Sequence, residues 1–583
     1  MKWAQAAAFA GWREKRAPLQ LKMERRLNRI SHAGRLLNRY RGDAVKNGRL
    51  HAGKPSASPD IFVRASCSPF PVAQVHVIPG GQRLLMNFFR RGAALRFRPL
   101  FSGVSLFLLA VVILAPNAAA AQSASGRGFP VSVSVYERAR MDAWQWFAAP
   151  PAANSYAYVQ SLLRIGMAQR LHHWDWRLEL SQPAVLDAPG NAISPLINQG
   201  QLGLGANYYA ANGNNSYPAA AFLKQGYLRF DGENSNARIG RFEFVAGEET
   251  KPRNPTLAWL QVNRVANRLI GNFGFTNAQR SFDGLDAHWN GSNWNITAMA
   301  ARADQGVFNM NGNPELNVDL EYLAFTRPQA AQHLLWRVFA AGYHDGRTGL
   351  TKTDNRPLQL RSADHKNIRI GTYGADLIAA IPAKRGQFDF LFWGALQNGS
   401  WGFQAHRAGA AALESGYRFG RQPAVPWLRW GWFRSTGDNN ATDNTHNTFF
   451  QLLPTPRLYA RVPFYNLMND TDEFVQLIDS PVQQVTLRSD LHWLQLTSGH
   501  DLWYLGGGAF DNKVFGYVGH PANGATSLAS VADISANWKA TNDINLNFYY
   551  GYAHGKTVVA ETYPSNRNMQ FGYVEFVYHW TLN

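Results

Sequence analysis

The sequence predicts an all-β fold, a transmembrane antiparallel up-and-down β-barrel of about 18 strands, and three observations point to it. Short segments alternate apolar and polar residues with period two, again and again after Gln122. Gly- and Asn-rich stretches separate them. Trp and Tyr recur at the ends of the apolar faces, and no stretch after Gln122 has the length and apolarity of a membrane helix.

The first element is not a strand. Phe101–Ala121 is an apolar run behind Arg90, Arg91, Arg96 and Arg98, with small residues at Ala118–Ala121. A cationic start, a short apolar centre and a small-residue end are the parts of a secretory signal, so residues 86–121 are expected to be a cleaved signal peptide. The run from Leu106 stops at Pro116, short of the roughly 20 residues a spanning helix needs. Residues 1–85 then precede a signal that belongs at a translation start. They are expected to be disordered, or upstream sequence read from a misassigned start, with Met86 as the true one.

This boundary changes the meaning of the charge. Residues 1–121 hold 20 Lys+Arg against 4 Asp+Glu, while residues 122–583 hold 38 against 35. Most of the net +19 therefore belongs to the leader, and a nucleic-acid partner loses its support. The one cysteine, Cys67, also lies there, so residues 122–583 can form neither disulfides nor thiolate metal sites.

Residues 122–583 are expected to be the barrel. Val131, Val133, Val135, Ala139 and Met141 alternate with Ser132, Ser134, Arg138, Arg140 and Asp142. Trp174, Trp176, Leu178 and Leu180 alternate with Asp175, Arg177 and Glu179. Val485, Leu487, Leu491 and Trp493 alternate with Thr486, Arg488, Asp490 and His492. Phe388, Phe390 and Phe392, then Ala532 to Trp538, Leu546 to Tyr552 and Val574 to Trp580, repeat the pattern. Segments such as 212–216, 231–236 and 435–444 read as turns and loops.

Alternation alone fits a soluble sandwich as well as a barrel. The aromatic belts and a strand pattern that runs to the last residues favour the barrel, whose first and last strands must pair. At roughly 25 residues per strand with its share of turns, 462 residues give about 18 strands.

The same residues hold 30 Arg against 8 Lys, and a planar guanidinium offers carboxylates two parallel donors. Strand parity puts Arg138, Arg140, Arg164, Arg177 and Arg229 on the lumen face, because a charge facing lipid near the midplane costs about 2–4 kcal/mol. Glu137, Asp142, Glu179, Glu243 and Asp283 are the acids with which such arginines can pair and brace the wall. From Pro255 to Gly271 the spacing of Leu257, Leu260, Val265 and Leu269 is helical, with Arg264 and Arg268 one turn apart. Such a segment either folds into the lumen, presenting both arginines to a passing chain, or lies over the rim.

One block is distinctive: Lys224–Phe230, Arg238–Phe244, Gly247–Glu249, Arg264–Arg268, Gly271–Gly274 and Arg280–Gly284, with Phe449–Pro456 and Ser530–Tyr552 further on. In this order it resembles the alginate-export family of outer-membrane β-barrel proteins, over most of residues 130–583. The resemblance implies an 18-stranded barrel in the outer membrane of a Gram-negative bacterium, an arginine-lined conduit for an anionic polyuronic polysaccharide, and loops that occlude it. Within the block, Arg241 and Arg280 join the lumen set, which then holds Arg138, Arg140, Arg164, Arg177, Arg229, Arg241, Glu243, Arg264, Arg268, Arg280 and Asp283.

Enzyme motifs are missing. There is no Gly-x-Ser-x-Gly elbow and no His-Glu-x-x-His. His172-His173 and His344-Asp345 stand alone, and Glu248 and Glu249, taken as neighbours on a strand, would point to opposite faces. The loop from Asp438 to Asp443 lacks EF-hand spacing and reads as solvated.

The sequence therefore predicts a monomeric outer-membrane channel with no catalytic activity, no metal and no cofactor. It passes an anionic, uronate-containing polysaccharide by passive facilitated diffusion. Its partners are that polymer, the surrounding lipid and periplasmic polysaccharide-export components. A porin for small organic anions and a soluble exported carbohydrate-binding β protein are the alternatives.

Overall fold

A computed structural model describes residues 131–583 apart from 330–332, 421–424, 457 and 583. The expected leader and signal peptide lie outside the described residues. Eighteen antiparallel strands close into a barrel. In chain order they are β1 Val131–Gln145, β2 Ser155–Arg170, β3 Trp174–Leu186, β4 Phe222–Asp231, β5 Ser235–Phe242, β6 Phe282–Asn290, β7 Asn295–Asp304, β8 Glu315–Gln329 and β9 Leu334–Asp345. The ring continues through β10 Ile368–Ala383, β11 Gly386–Trp401, β12 Gln404–Phe419, β13 Trp427–Ser435, β14 Asp470–Val482, β15 Val485–Leu496, β16 Ser527–Lys539, β17 Ile544–Gly555 and β18 Asn568–Leu582. Each strand pairs with its neighbours in sequence, and β18 returns to β1 in a register that runs from Val133 against Leu582 to Gln145 against Gln570.

The alternation seen in the sequence is the alternation of the wall. Leu178, Leu180, Phe388, Phe390, Ile534 and Phe548 are exposed on the outer face, while Glu179, Asp389, Asp533 and Tyr549 between them are buried. A soluble protein would place its apolar face inward, so this belt excludes the soluble carbohydrate-binding alternative. Phe392 lies in the middle of β11 and faces outward, 39 % exposed. Phe392→Arg is expected to destabilise the barrel by about 2–4 kcal/mol, read as a lower midpoint of heat-modifiable migration in detergent.

The two ends of the barrel differ. Eight turns of two to seven residues lie at the end where β1 starts and β18 stops, and aromatic side chains ring it: Trp174, Phe230, Trp289, Phe388, Phe419 and Trp538 are all exposed. Trp174 meets Phe230 edge-on across the β3–β4 pair at 5.2 Å. Short turns mark the periplasmic end of such barrels. Most of the connections at the other end are long, among them 187–221, 243–281, 346–367, 436–469 and 497–526.

Wall height varies as well. The strands β10, β11 and β12 have 16 residues each, whereas β5 and β6 have 8 and 9. At Phe242 the chain therefore leaves the wall low down and turns into the bore. Among the described residues, no helix is long and apolar enough to cross a membrane.

Candidate functional site

The bore is organised in three levels. At the periplasmic end, the inner faces of β1 to β4 and β18 line two adjoining pockets of ≈ 300 and ≈ 250 Å³, which share Ser132, Ala168 and Arg177. Arg170, Asp175, Tyr227 and Arg229 complete the outer one; Tyr136, Arg164, Glu179 and His579 complete the inner one. Strand parity brings these residues together, because residues two apart on a strand and directly opposed on its neighbour share one face.

The arginines here are paired. Arg177 and Arg164 both bind Glu179, Arg164 also binds Glu243 at 2.7 Å, and Arg229 reaches Asp175 at 2.5 Å and Asp231 at 3.1 Å. What meets solvent is nonetheless positive. The side chains of Arg170, Arg177 and Arg229 are 78 %, 32 % and 33 % exposed, against 4 %, 15 % and 20 % for Glu179, Asp175 and Asp231. The carboxylates that pair with these guanidiniums are the more recessed partners. Arg164, Arg177, Arg229 and Glu243 of the expected set meet here. Arg170 and buried Lys224, 3.6 Å from Glu243, were missed. Parity marks Arg170 as clearly as Arg164, since both are an even number of residues along β2.

The middle level is a plug. After Gly247, whose φ of +106° permits the turn and where a Cβ would lie 2.9 Å from the Cα of Ala266, the chain crosses toward the far wall. Asn254 starts a helical turn, Pro255–Leu260, by accepting the N–H groups of Thr256 and Leu257, with Pro255 at its first position. A π-turn, Gln261–Val265, follows. Thr256 donates to Gln387, and Trp259 packs edge-on against Trp427 at 4.7 Å. The helical spacing thus forms one helical turn and a π-turn, and it takes the lumenal of its two expected positions.

Arg264 and Arg268, however, are not presented to the bore. Both are buried, and both reach Glu414 on β12, at 3.3 and 3.5 Å. Arg429 on β13 reaches the same carboxylate at 2.9 Å and Asp389 at 3.0 Å. Burial pushes the Arg264 guanidinium down to about 10, so it stays charged at neutral pH. The inward neighbours of Glu414 along β12 are Ala408, Ala410 and Ala412, small enough to admit the crossing segment. A lone acid among small inward residues is the mark that Glu414 leaves in the sequence.

A second insertion, from the 436–469 connection, runs beside the first. Gly271 donates to Leu453, Leu453 to Leu269, and Thr455 to Asn267. Arg280 joins the pieces. Fully buried, it donates to the carbonyls of Gly271, Leu453 and Gly507 at 2.9, 3.0 and 3.0 Å, so one guanidinium ties three connections.

The remaining expected residues are placed as follows. Arg138 holds the plug to β1 through the carbonyls of Gly274 and Thr276, and Arg140 lies between Asp142, Glu575 and the ring of Phe275. Glu137 accepts from Ser161. Arg241 and Asp283 correct the lumen assignment. They pair at 2.6 Å on the parity of Ile239 and Leu285, both exposed outward, and Arg241 also donates to the carbonyls of Leu223, Gly312 and Asn313. Carbonyl acceptors near the upper edge of the short strands make that outward charge tolerable. Glu248 and Glu249 lie in a turn and not on a strand; Glu249 binds Arg337 at 3.1 Å and Glu248 is exposed.

The outer level is a chamber of ≈ 500 Å³ among the long connections, lined by Trp146, Phe273, Phe275, Phe308, Phe510 and Tyr563. In the same set of long connections Asp438 is buried rather than solvated, and its N–H donates to Asp501, which also accepts from Thr448 and Tyr504. Burial pushes Asp501 up to about 6. A carboxyl whose folded pKa exceeds its unfolded value contributes stability that is full below about 4 and is lost as pH rises through about 6. The transition midpoint is expected to fall by the equivalent of roughly 2–3 kcal/mol between pH 4 and pH 7.5, relative to Asp501→Asn, which removes that component.

A closed barrel with an apolar outer belt, an aromatic girdle and a bore with charged walls is an outer-membrane channel. The family comparison agrees: residues 220–571 match the alginate-export model, and the chain belongs to the alginate-export family. No curated protein matches it. Among solved structures it is similar to OccAB2 of Acinetobacter baumannii, at 8 % identity and a TM-score of 0.51 over 78 % of this chain and 100 % of that one. It is also similar to OccAB4 of the same organism, at 7 % and 0.48 over 78 % and 98 %, and to Pseudomonas aeruginosa OpdK with vanillate, at 7 % and 0.48 over 78 % and 100 %. At such identity the likeness to OccAB2 bears on the fold alone. The chain is thus an outer-membrane protein of the Gram-negative type.

Proposed function

We propose that this channel passes an anionic, uronate-containing polysaccharide outward by passive facilitated diffusion. The observation that carries the reading is the periplasmic mouth, where the side chains of Arg170, Arg177 and Arg229 are more exposed than their recessed carboxylate partners. A polymer of carboxylates meets many weak, similar donors there, which lower its cost of arrival without trapping it. Beyond the plug, the aromatic chamber offers apolar faces of the kind on which sugar rings stack. The plug must shift for a chain to pass, and the ion pairs of its Arg264 and Arg268 to the wall converge on Glu414.

Planar-bilayer conductance tests this. The channel is expected to be anion-selective and blocked by polyuronate from the periplasmic side, and Arg177→Gln with Arg229→Gln is expected to weaken block by about tenfold. Cation selectivity, or conductance indifferent to the polymer, overturns the electrostatic reading. Free permeation by small carboxylates without polymer block identifies a porin for small organic anions instead.

A further inference from the structure

On the inner wall of β14 to β16 the charge changes sign. Asp490 on β15 and Asp533 on β16 are direct cross-strand partners, and both are buried. Like charges directly opposed across a strand pair repel, more so away from water, so this arrangement asks for a cation between them. His492 lies two residues along β15, on the same face, 1 % exposed. A carboxylate oxygen of Asp490, one of Asp533 and a ring nitrogen of His492 all lie within 4.8 Å of one another.

The orientation of the histidine is the second observation. Its Nδ1 is 3.0 Å from both oxygens of Asp472 on β14, so Nδ1–H donates to that carboxylate and Nε2 is left as the acceptor. Nε2 is buried and has no hydrogen-bond partner. A carboxylate that fixes the tautomer and leaves the other nitrogen bare is the usual support of a metal-binding imidazole.

The surroundings are rich in acids. Asp470 lies beside Asp472 with both carboxylate oxygens unpartnered, which makes four aspartates in the group. Three arginines face them: Arg488, 2.5 Å from Asp490, Arg264, whose field also reaches Asp490, and Arg461, whose field reaches Asp533. Gln476 donates to Asp490, Tyr549 donates to Asp533, and Tyr465 donates to Asp472. Acids thus outnumber arginines, four to three, on a wall that an anionic solute would have to pass.

We propose that Asp490, His492 and Asp533 bind a divalent transition-metal cation of the zinc class, with Asp472 orienting His492. One imidazole and two carboxylates suit zinc, whose ligand atoms stand about 3.4 Å apart at tetrahedral bond lengths. Rotamer adjustment of the two aspartates closes the remaining distance. The bound ion offsets the excess of acids and lowers the repulsion this stretch of wall offers to carboxylates. The site stands apart from the transport reading and does not depend on which anion passes.

The test uses the full barrel, folded in detergent, treated with a chelator and titrated with Zn²⁺ alone by calorimetry, with metal content measured after dialysis. One Zn²⁺ per chain is expected, together with a higher midpoint of heat-modifiable migration. Asp472→Asn is expected to weaken binding by about 10–100-fold, while His492→Gln and Asp533→Asn abolish it. Heat-modifiable migration of each variant without metal shows that its barrel has closed. Zn²⁺ binding unchanged in folded His492→Gln, binding of Ca²⁺ in preference to Zn²⁺, or no stoichiometric binding overturns the proposal.

Discussion

Glu414→Gln is expected to lower stability by about 3–5 kcal/mol and to raise conductance at the same time. Removing one partner of a buried ion pair leaves the other charge uncompensated, and here one carboxylate serves three guanidiniums. The loss will not be shared evenly. Arg429 keeps Asp389 at 3.0 Å, whereas Arg264 and Arg268 have no other carboxylate among their ion pairs. The plug therefore suffers more than the wall, and its segment 255–271 should leave the far side of the bore. Two measurements check this: the heat-modifiable midpoint, and single-channel conductance. Glu414→Asp should recover part of both. A variant with an unchanged midpoint and unchanged conductance would show that the crossing segment is held by its apolar contacts alone.

Arg280→Gln is expected to cost about 3 kcal/mol and to produce noisy, fluctuating conductance in place of a steady level. The substitution takes the shared donor from the carbonyls of Gly271, Leu453 and Gly507; Leu453 keeps the N–H of Gly271, while the other two cost about 1–3 kcal/mol each where they find no substitute. These carbonyls belong to three different connections, so what is lost is their mutual attachment and not the barrel wall. Burial pushes Arg280 down to about 10, and it carries its charge throughout the neutral range. Protease sensitivity of residues 449–456 in the closed barrel gives an independent reading. Unaltered sensitivity and a steady conductance level would remove Arg280 from its role as the tie.

The wall was legible in the sequence and the plug only partly so. Period two separates Leu178 and Leu180 from Arg177 and Glu179 without knowledge of their neighbours, because an outward charge is costly and lipid enforces the alternation. Arg164, Arg177 and Arg229 could be grouped by the same rule. Arg241 and Asp283 could not, since their outward placement depends on carbonyls of Leu223, Gly312 and Asn313 that only the fold brings near. The helical spacing of Leu257, Leu260 and Val265 showed an apolar stripe. It could not show that Glu414, 150 residues further on, waited across the bore and would turn Arg264 and Arg268 from solute contacts into an anchor.

The pairing of 267–271 with 453–455 has a bearing on assembly order. The first insertion belongs to the β5–β6 connection, and its ladder partner and its anchors on β11 to β13 are made much later in the chain. Contacts separated so far along the sequence form slowly, because a long loop must close before any of them counts. Until β13 and the following connection are in place, the early insertion is held by the strands already made, through Arg138, Gln387 and Glu414, but lacks its ladder partner at 453–455. Closure of β18 on β1 and filling of the bore are then linked events, and a chain shortened after β12 should leave residues 267–271 open to protease even where the early strands have paired.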